Sequence, residues 1–162
     1  MSSRPLDADT FRDVLGRFAS GVTIVTTRDA DGRDRGMTVS AFSSLSLNPP
    51  LVLACIGHDA TIADSVSAAE YFGVSLLAED QEQLSRRFAD PDADRFDGVP
   101  FSRGRSGVAL LDGALAHLEC RIVARHEAGD HTIVVGEVSV ASGRDGGRPL
   151  VHHRGQYGRF AT

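Results

Sequence analysis

Between Gly36 and Leu53 the chain alternates short hydroxyl side chains with apolar ones before a Pro49-Pro50 break. At the two-residue period of a strand, Thr38 and Ser40, with Phe42 in the same register, face one way, and Met37, Val39 and Ala41 face the other. A hydroxyl face on a barrel wall suits a polar ligand. Phosphate and polyol oxygens need several short donors close together, and Ser and Thr hydroxyls with nearby backbone N–H groups supply them without bulk. A second constellation, Gly129-Asp130-His131, places an acid and an imidazole at the entrance of the strongly β segment Thr132–Val138. An imidazole there can donate a hydrogen bond to a carboxamide or carry positive charge near a phosphate, with Asp130 biasing its tautomer. The same residues also read as a solvated turn, because turns favour Gly and Asp for backbone reasons.

The surrounding elements must hold these groups. Phe11, Val14, Leu15 and Phe18 fall at helical spacing behind Asp7 or Asp9 as N-cap and predict a short docking helix. Gly21–Arg28, the turn at Asp29–Gly32 and the strand that follows predict a hairpin. Leu51–Gly57 reads as a central strand, followed by a helix over about Asp59–Ala69, a strand over Tyr71–Ala78 and a helix over Asp80–Phe88. Arg95–Gly107 predicts a surface loop, Ala114–His126 and His131–Ala141 a pair of long strands, and Leu150–Tyr157 a closing strand. Six or seven strands with few helices imply a barrel, which removes exposed edges. No internal repeat or linker interrupts residues 1–162, so one domain is expected.

Composition narrows the chemistry. A net charge of -5 and a pI near 5.6 argue against nucleic-acid or anionic-membrane partners, which require a positive surface. There is no lysine, which removes a Walker A lysine, a Schiff-base lysine and a Ser-Lys dyad together. Zinc-hydrolase, serine-hydrolase and Rossmann motifs are also missing. Cys55 and Cys120 sit far apart inside apolar runs and read as reduced core thiols. No metal site is expected; His152 and His153 are adjacent on a strand and point to opposite faces. Neither a signal peptide nor a membrane span is apparent, so the expected location is cytoplasmic.

Taken together, Phe11-Arg12, the run Phe18-Ala19-Ser20-Gly21-Val22-Thr23-Ile24-Val25-Thr26-Thr27, the Thr38–Phe42 segment before Pro49-Pro50-Leu51-Val52, and Gly129-Asp130-His131 resemble the short-chain flavin reductase family. The resemblance runs from Phe11 to about Phe160. It implies a mainly β fold, the FMN-binding split β-barrel with a few short flanking helices, in a homodimer. It also implies flavin contacts along Met37, Thr38, Val39, Ser40 and Ala41, with Thr38 and Ser40 reaching the ring and its ribityl chain. Further implied contacts are Ala54, Cys55, Ile56, Gly57 and His58 through backbone groups, and Thr61 near the phosphate, where a helix N-terminus would favour the anion. Arg87-Phe88 looks like the family's Arg-Phe pair beside the cofactor, although Phe88 at helical spacing from Leu84 equally fits a core. In the same family Asp130 and His131 lie where the nicotinamide nucleotide binds, which makes His131 the implied catalytic residue. His153-Arg154-Gly155-Gln156-Tyr157 resembles the family's closing strand and adds Arg154 and Tyr157, with His153 standing where an aromatic is usual.

The implied reaction is hydride transfer from NADH or NADPH to FAD or FMN, the reduced flavin then passing to a partner flavin-dependent monooxygenase. The cofactors carry the chemistry and the protein positions them. The other expectation is a non-enzymatic split-barrel flavin or haem binder, since a fold alone does not fix function. A pyridoxamine-phosphate type oxidase would need a cationic clamp for a second phosphate, and arginine is scattered here.

Overall fold

The computed structural model describes residues 6–160. Helix α1 (Ala8–Gly16) begins where the Asp7 carboxylate accepts the Thr10 N–H at 2.8 Å, and it buries none of its residues in the chain itself. The strands follow as β1 (Ser20–Gly21), β2 (Thr23–Arg28), β3 (Asp34–Val39), β4 (Phe42–Leu47) and β5 (Pro50–Gly57). Then come α2 (Ala63–Ala68), β6 (Tyr71–Leu76), α3 (Glu82–Ala89), β7 (Phe101–Arg103), β8 (Ala109–Leu111), β9 (Ala116–Ala128), β10 (His131–Gly143), β11 (Leu150–His153) and β12 (Gln156–Arg159). No helix among the described residues is long and apolar enough to cross a membrane.

Seven strands pair antiparallel in the order β3-β2-β6-β9-β10-β5-β4. The sheet curls until β3 returns beside β5 without hydrogen-bonding to it, so the barrel stays split along that seam. Bulges at Val135/Gly136 and Val138/Val140 bend β10 against β9 and help this curl. The barrel is filled by Val25, Val39, Ile56, Phe72, Val74 and Val134, among others.

A second core lies outside the sheet. Ile24, Leu77, Phe88, Leu111 and Leu150 pack there beneath α3, β8 and the small sheet β1-β11-β12. Strand β2 is therefore buried on both faces. Its threonines satisfy buried carbonyls: Thr23 donates to Val39, Thr26 to Ala109 and Thr27 to Tyr71, at 2.6–2.8 Å. The closing strand expected over Leu150–Tyr157 is a hairpin, turned at Arg154 and Gly155 with positive φ.

One buried acid clips the outer hairpin to the barrel. Glu119, 3 % exposed on β9, accepts the Arg105 N–H at 3.0 Å, the Ser106 N–H at 2.6 Å and the Ser106 hydroxyl at 2.5 Å. Gly104 lets the loop approach, since a Cβ there would lie 2.6 Å from the Glu119 carboxyl carbon. Burial alone would raise the Glu119 pKa, but the hydrogen bonds from Ser106 and Arg105 outweigh it and hold the group below its ordinary value. A folded-state pKa below the unfolded one contributes stability at neutral pH that disappears as pH falls through the carboxylate range. Glu119→Gln, which turns an amide N–H toward those donors, is expected to cost about 1–3 kcal/mol at pH 7 and much less near pH 3. Thermal unfolding of both proteins at the two pH values checks it; an equal loss at both would remove the carboxylate from the account.

Candidate functional site

The seam between β3 and β5 opens onto the surface at two places. At one end an open groove of about 500 Å³ runs past Ser40, Ala41, Phe42, Leu53 and Cys55, with Leu15 and Phe18 of the N-terminal segment and His152 of β11 as its other wall. At the other, a pocket of about 310 Å³ is bounded by Gly36, Thr61, Ile62, Arg95 and Phe96. Gly36 and Ser40 are four positions apart, about 13 Å on an extended strand.

The groove floor follows from register. Ala54 and Ile56 fill the barrel, so Leu53, Cys55 and Gly57 turn to the outer face of β5. Ala41 sits beside Cys55, whose N–H it accepts at 2.9 Å. On the neighbouring strand Ile133 pairs with Cys55, and His131 with Gly57. His131 thus shares the outer face with the groove, about two residues further along the strand. Its Nε2 would lie 3.6 Å from a Cβ on Gly57, so the ring stands over that glycine.

The Gly129 turn, at φ 66°, delivers Asp130 and His131 to this edge. Asp130 Oδ1 lies 2.7 Å from His131 Nδ1, and this hydrogen bond holds the Asp130 carboxyl below its ordinary pKa. A carboxylate accepts, so Nδ1 carries the proton; Nε2 then accepts in the neutral ring and donates only in the imidazolium. Beside it the His58 Nε2 pairs with Glu127 at 2.8 Å, and the His58 N–H donates to the Asp130 carbonyl at 3.0 Å.

Of the two arginines that line the pocket, Arg35 and Arg95, only Arg95 lacks a carboxylate partner among the described residues. Arg95 donates from Nη1 to the Gly36 carbonyl and the Thr61 hydroxyl, both at 2.7 Å, and from Nε to the Asp90 carbonyl at 3.0 Å. No carboxylate pairs with it among the described residues, whereas Arg35 is bound to Asp29 and Arg103 to Asp34. Burial lowers its pKa and Asp90 acts in the opposite sense; an arginine stays charged throughout the working range. Two carboxylates, Asp34 and Asp94, also line the pocket, the first of them bound to Arg103.

Residues 15–161 match the family described as flavin reductase like domain. The chain belongs to the flavin reductase-like family. It is 47% identical over 152 residues to an NADH-dependent flavin reductase of a Rhodococcus species, covering 90% of this chain and 82% of that protein. It is 43% identical over 157 residues to the reductase component of a 4-nitrophenol 4-monooxygenase/4-nitrocatechol 2-monooxygenase of Rhodococcus opacus, covering 97% and 83% of the two chains. The solved structure of a Streptomyces globisporus NADH:FAD oxidoreductase in complex with NAD and FAD fragments superposes at a TM-score of 0.92 with 43% identity, covering 98% of this chain and 95% of that one.

Within this flavin reductase-like fold the expected contacts divide. Ser40, Ala41 and Cys55 line the groove, Thr61 the pocket, and Gly57, His58, Asp130 and His131 form the far edge. Cys55 therefore lies in the groove and not in the core expected for it; Cys120 is the buried thiol, its pKa pushed up to about 12 by burial and by Glu119. Val39, Ala54 and Ile56 have side chains in the barrel, and Met37 packs against it, so none of these side chains faces the groove.

Four expectations are corrected by contacts. Thr38 pairs with Ile24 and so shares the face of the outer core; its hydroxyl donates to the Ser85 carbonyl at 2.6 Å, away from the groove. Phe88 is 0 % exposed in the same core, and Arg87 donates to the carbonyls of Asp94 and Asp97, which holds the loop that carries Arg95. The Arg-Phe pair at the pocket is Arg95-Phe96. Thr61 precedes α2 in a turn, and that helix has only six residues, so the hydroxyl and Arg95 stand where a helix terminus was expected. Tyr157 turns inward, its hydroxyl 2.8 Å from Ser85 Oγ with Arg86 over its ring, while Arg154 occupies the exposed hairpin turn.

Sequence reasoning missed Arg95 and His152. Arg95 lay in a turn-rich stretch with no periodicity to orient it. For His152 the signal existed, since of two adjacent strand residues one must face the groove side.

Proposed function

We propose that this chain is an NAD(P)H-dependent flavin reductase that supplies reduced FAD or FMN to a partner flavin-dependent monooxygenase. The supporting observation is that His131, on the GDH turn, shares one sheet face with an open groove beside Ala41 and Cys55. A flavin in that groove accepts hydride from the nicotinamide of NADH or NADPH and leaves as the reduced carrier.

The chain's own residues bind and orient. The outer face of β5 and the Ser40–Phe42 segment give the groove a largely apolar floor, which suits a flat heteroaromatic ring. Arg95 and Thr61 hold the phosphate at the far end of the seam. His131, fixed by Asp130, offers Nε2 to the carboxamide N–H of the nicotinamide and keeps that ring against the flavin. No protein acid or base is needed for the transfer itself. The groove is open on one side, as exchange of a flavin that serves as substrate requires.

Leu15 at 51 %, Phe18 at 79 % and Leu47 at 91 % exposed leave apolar side chains of the α1 segment and β4 uncovered. A second copy of the chain covers them in this reading, beside a groove that stays open for exchange. Light scattering should give about twice the 17.2 kDa chain mass; a fully active monomer would count against it.

The functional reading is tested anaerobically. Protein mixed with NADH and free FAD or FMN should bleach the flavin with one donor consumed per flavin reduced. Tight flavin binding with no bleaching would favour the non-enzymatic binder.

A further inference from the structure

Leu15, Phe18, Ser40, Phe42, Leu53 and Cys55 surround the groove with apolar atoms, hydroxyls and one thiol, and neither a carboxylate nor a guanidinium lines it. The exception is His152. It is the only groove-lining side chain able to carry a positive charge, which an imidazole does when it binds a second proton. Strand pairing fixes its direction: β11 runs between β1 and β12, with His152 opposite Ser20 on one side and Tyr157 on the other. The ring packs edge-on to Tyr157 at 5.6 Å between centroids. The Tyr157 hydroxyl is itself held by Ser85 on α3, so the platform under the imidazole is tied to a second element. The ring nitrogens have no hydrogen-bond partner among the described residues, which leaves them for a ligand in the groove.

We propose that His152 makes the groove discriminate between oxidation states of flavin in a proton-linked way, holding reduced flavin more tightly when the imidazole is protonated and letting it go when the imidazole is neutral. The inference rests on the assignment of the groove to the flavin ring. The oxidised isoalloxazine ring is neutral, while the reduced ring loses a proton near neutral pH and carries a negative charge on its pyrimidine side. A protonated imidazole in an apolar groove favours the charged ring and is indifferent to the neutral one. The other titratable or charged groups around His152 do not supply this charge. Cys55 across the groove is neutral or negative, Arg86 lies over the ring of Tyr157, and Asp13 and Arg17 at the end of α1 pair with each other at 2.9 Å. On its own hairpin His153 and Arg154 are exposed.

For a reductase whose product must travel to another enzyme, such a group tunes product release through pH. The test compares the full-length protein with His152→Gln and His152→Phe, the second keeping the edge contact with Tyr157. Dissociation constants for oxidised FMN and for FMN reduced with dithionite are measured anaerobically by equilibrium dialysis between pH 5.5 and 8.5. Expected is a preference for reduced FMN in the unmodified protein that exceeds that of both variants by about three- to tenfold near pH 6.5 and converges with theirs by about pH 8.5. Oxidised FMN should show no such pH-dependent difference. If all three proteins share one pH profile for the ratio of the two constants, the proposal is overturned while the flavin groove stands. If none binds FMN at any pH, the assignment of the groove fails and the proposal with it.

Discussion

His131→Ala is expected to lower kcat/KM for the nicotinamide donor by several-fold to about a hundredfold while flavin binding is spared. One hydrogen bond accepted by an oriented imidazole is worth about 0.5–3 kcal/mol, depending on charge, and it acts on the nicotinamide. The side chain stands over Gly57 at the end of β5, beyond the part of the groove bounded by Ser40, Ala41 and Cys55. Its removal leaves those groups untouched. Steady-state kinetics with varied donor, together with flavin dissociation constants on the same variant, separate the roles. Unchanged kinetics with a lowered melting temperature would reduce His131 to a turn residue, and parallel losses in both measurements would mean that the β9–β10 turn had collapsed.

The second large effect is expected at Arg95. Its guanidinium is the pocket's only cation without a carboxylate partner among the described residues, so the phosphate of FMN would be its counter-charge. Arg95→Gln removes the charge, and a charge-assisted contact of about 1.5–3 kcal/mol corresponds to roughly ten- to a hundredfold weaker FMN binding. Riboflavin, which has the same ring and ribityl chain but no phosphate, should bind both proteins alike. Arg95→Lys should recover part of the FMN affinity. Equal weakening of FMN and riboflavin would show instead that the loop holding Arg95 across Gly36 and Thr61 had moved and that the phosphate lies elsewhere.

The β pattern was readable because it depends on local chemistry. The hairpin of β9 and β10 follows from two β-branched runs around Glu127-Ala128-Gly129-Asp130, and the outward direction of Cys55 follows from the parity of β5. What misled was a second layer of packing that no single segment announces. Strand β2 is buried on both faces although half its residues are threonines, which is evident only once α3 and the C-terminal hairpin are seen to cover it. The same layer captures Thr38 through Ser85 and turns Tyr157 inward, so hydroxyls with the parity of a binding face serve packing instead. Arg87-Phe88 and Arg95-Phe96 are alike as dipeptides. Only the tertiary contacts, which bury Phe88 and carry Arg95 across to Gly36 and Thr61, tell which pair borders the pocket. The helix expected from about Asp59 starts only at Ala63, because the chain first turns at Gly57–Ala60 to bury Ile62.

The central claim is that this chain transfers hydride from a nicotinamide donor to a flavin held in the β3–β5 seam. Its most direct test is a steady-state assay crossing FAD and FMN with NADH and NADPH. At least one combination should be reduced far faster than the same mixture without protein, with saturation in both flavin and donor. Rates equal to the free-solution reaction in all four combinations would contradict the claim.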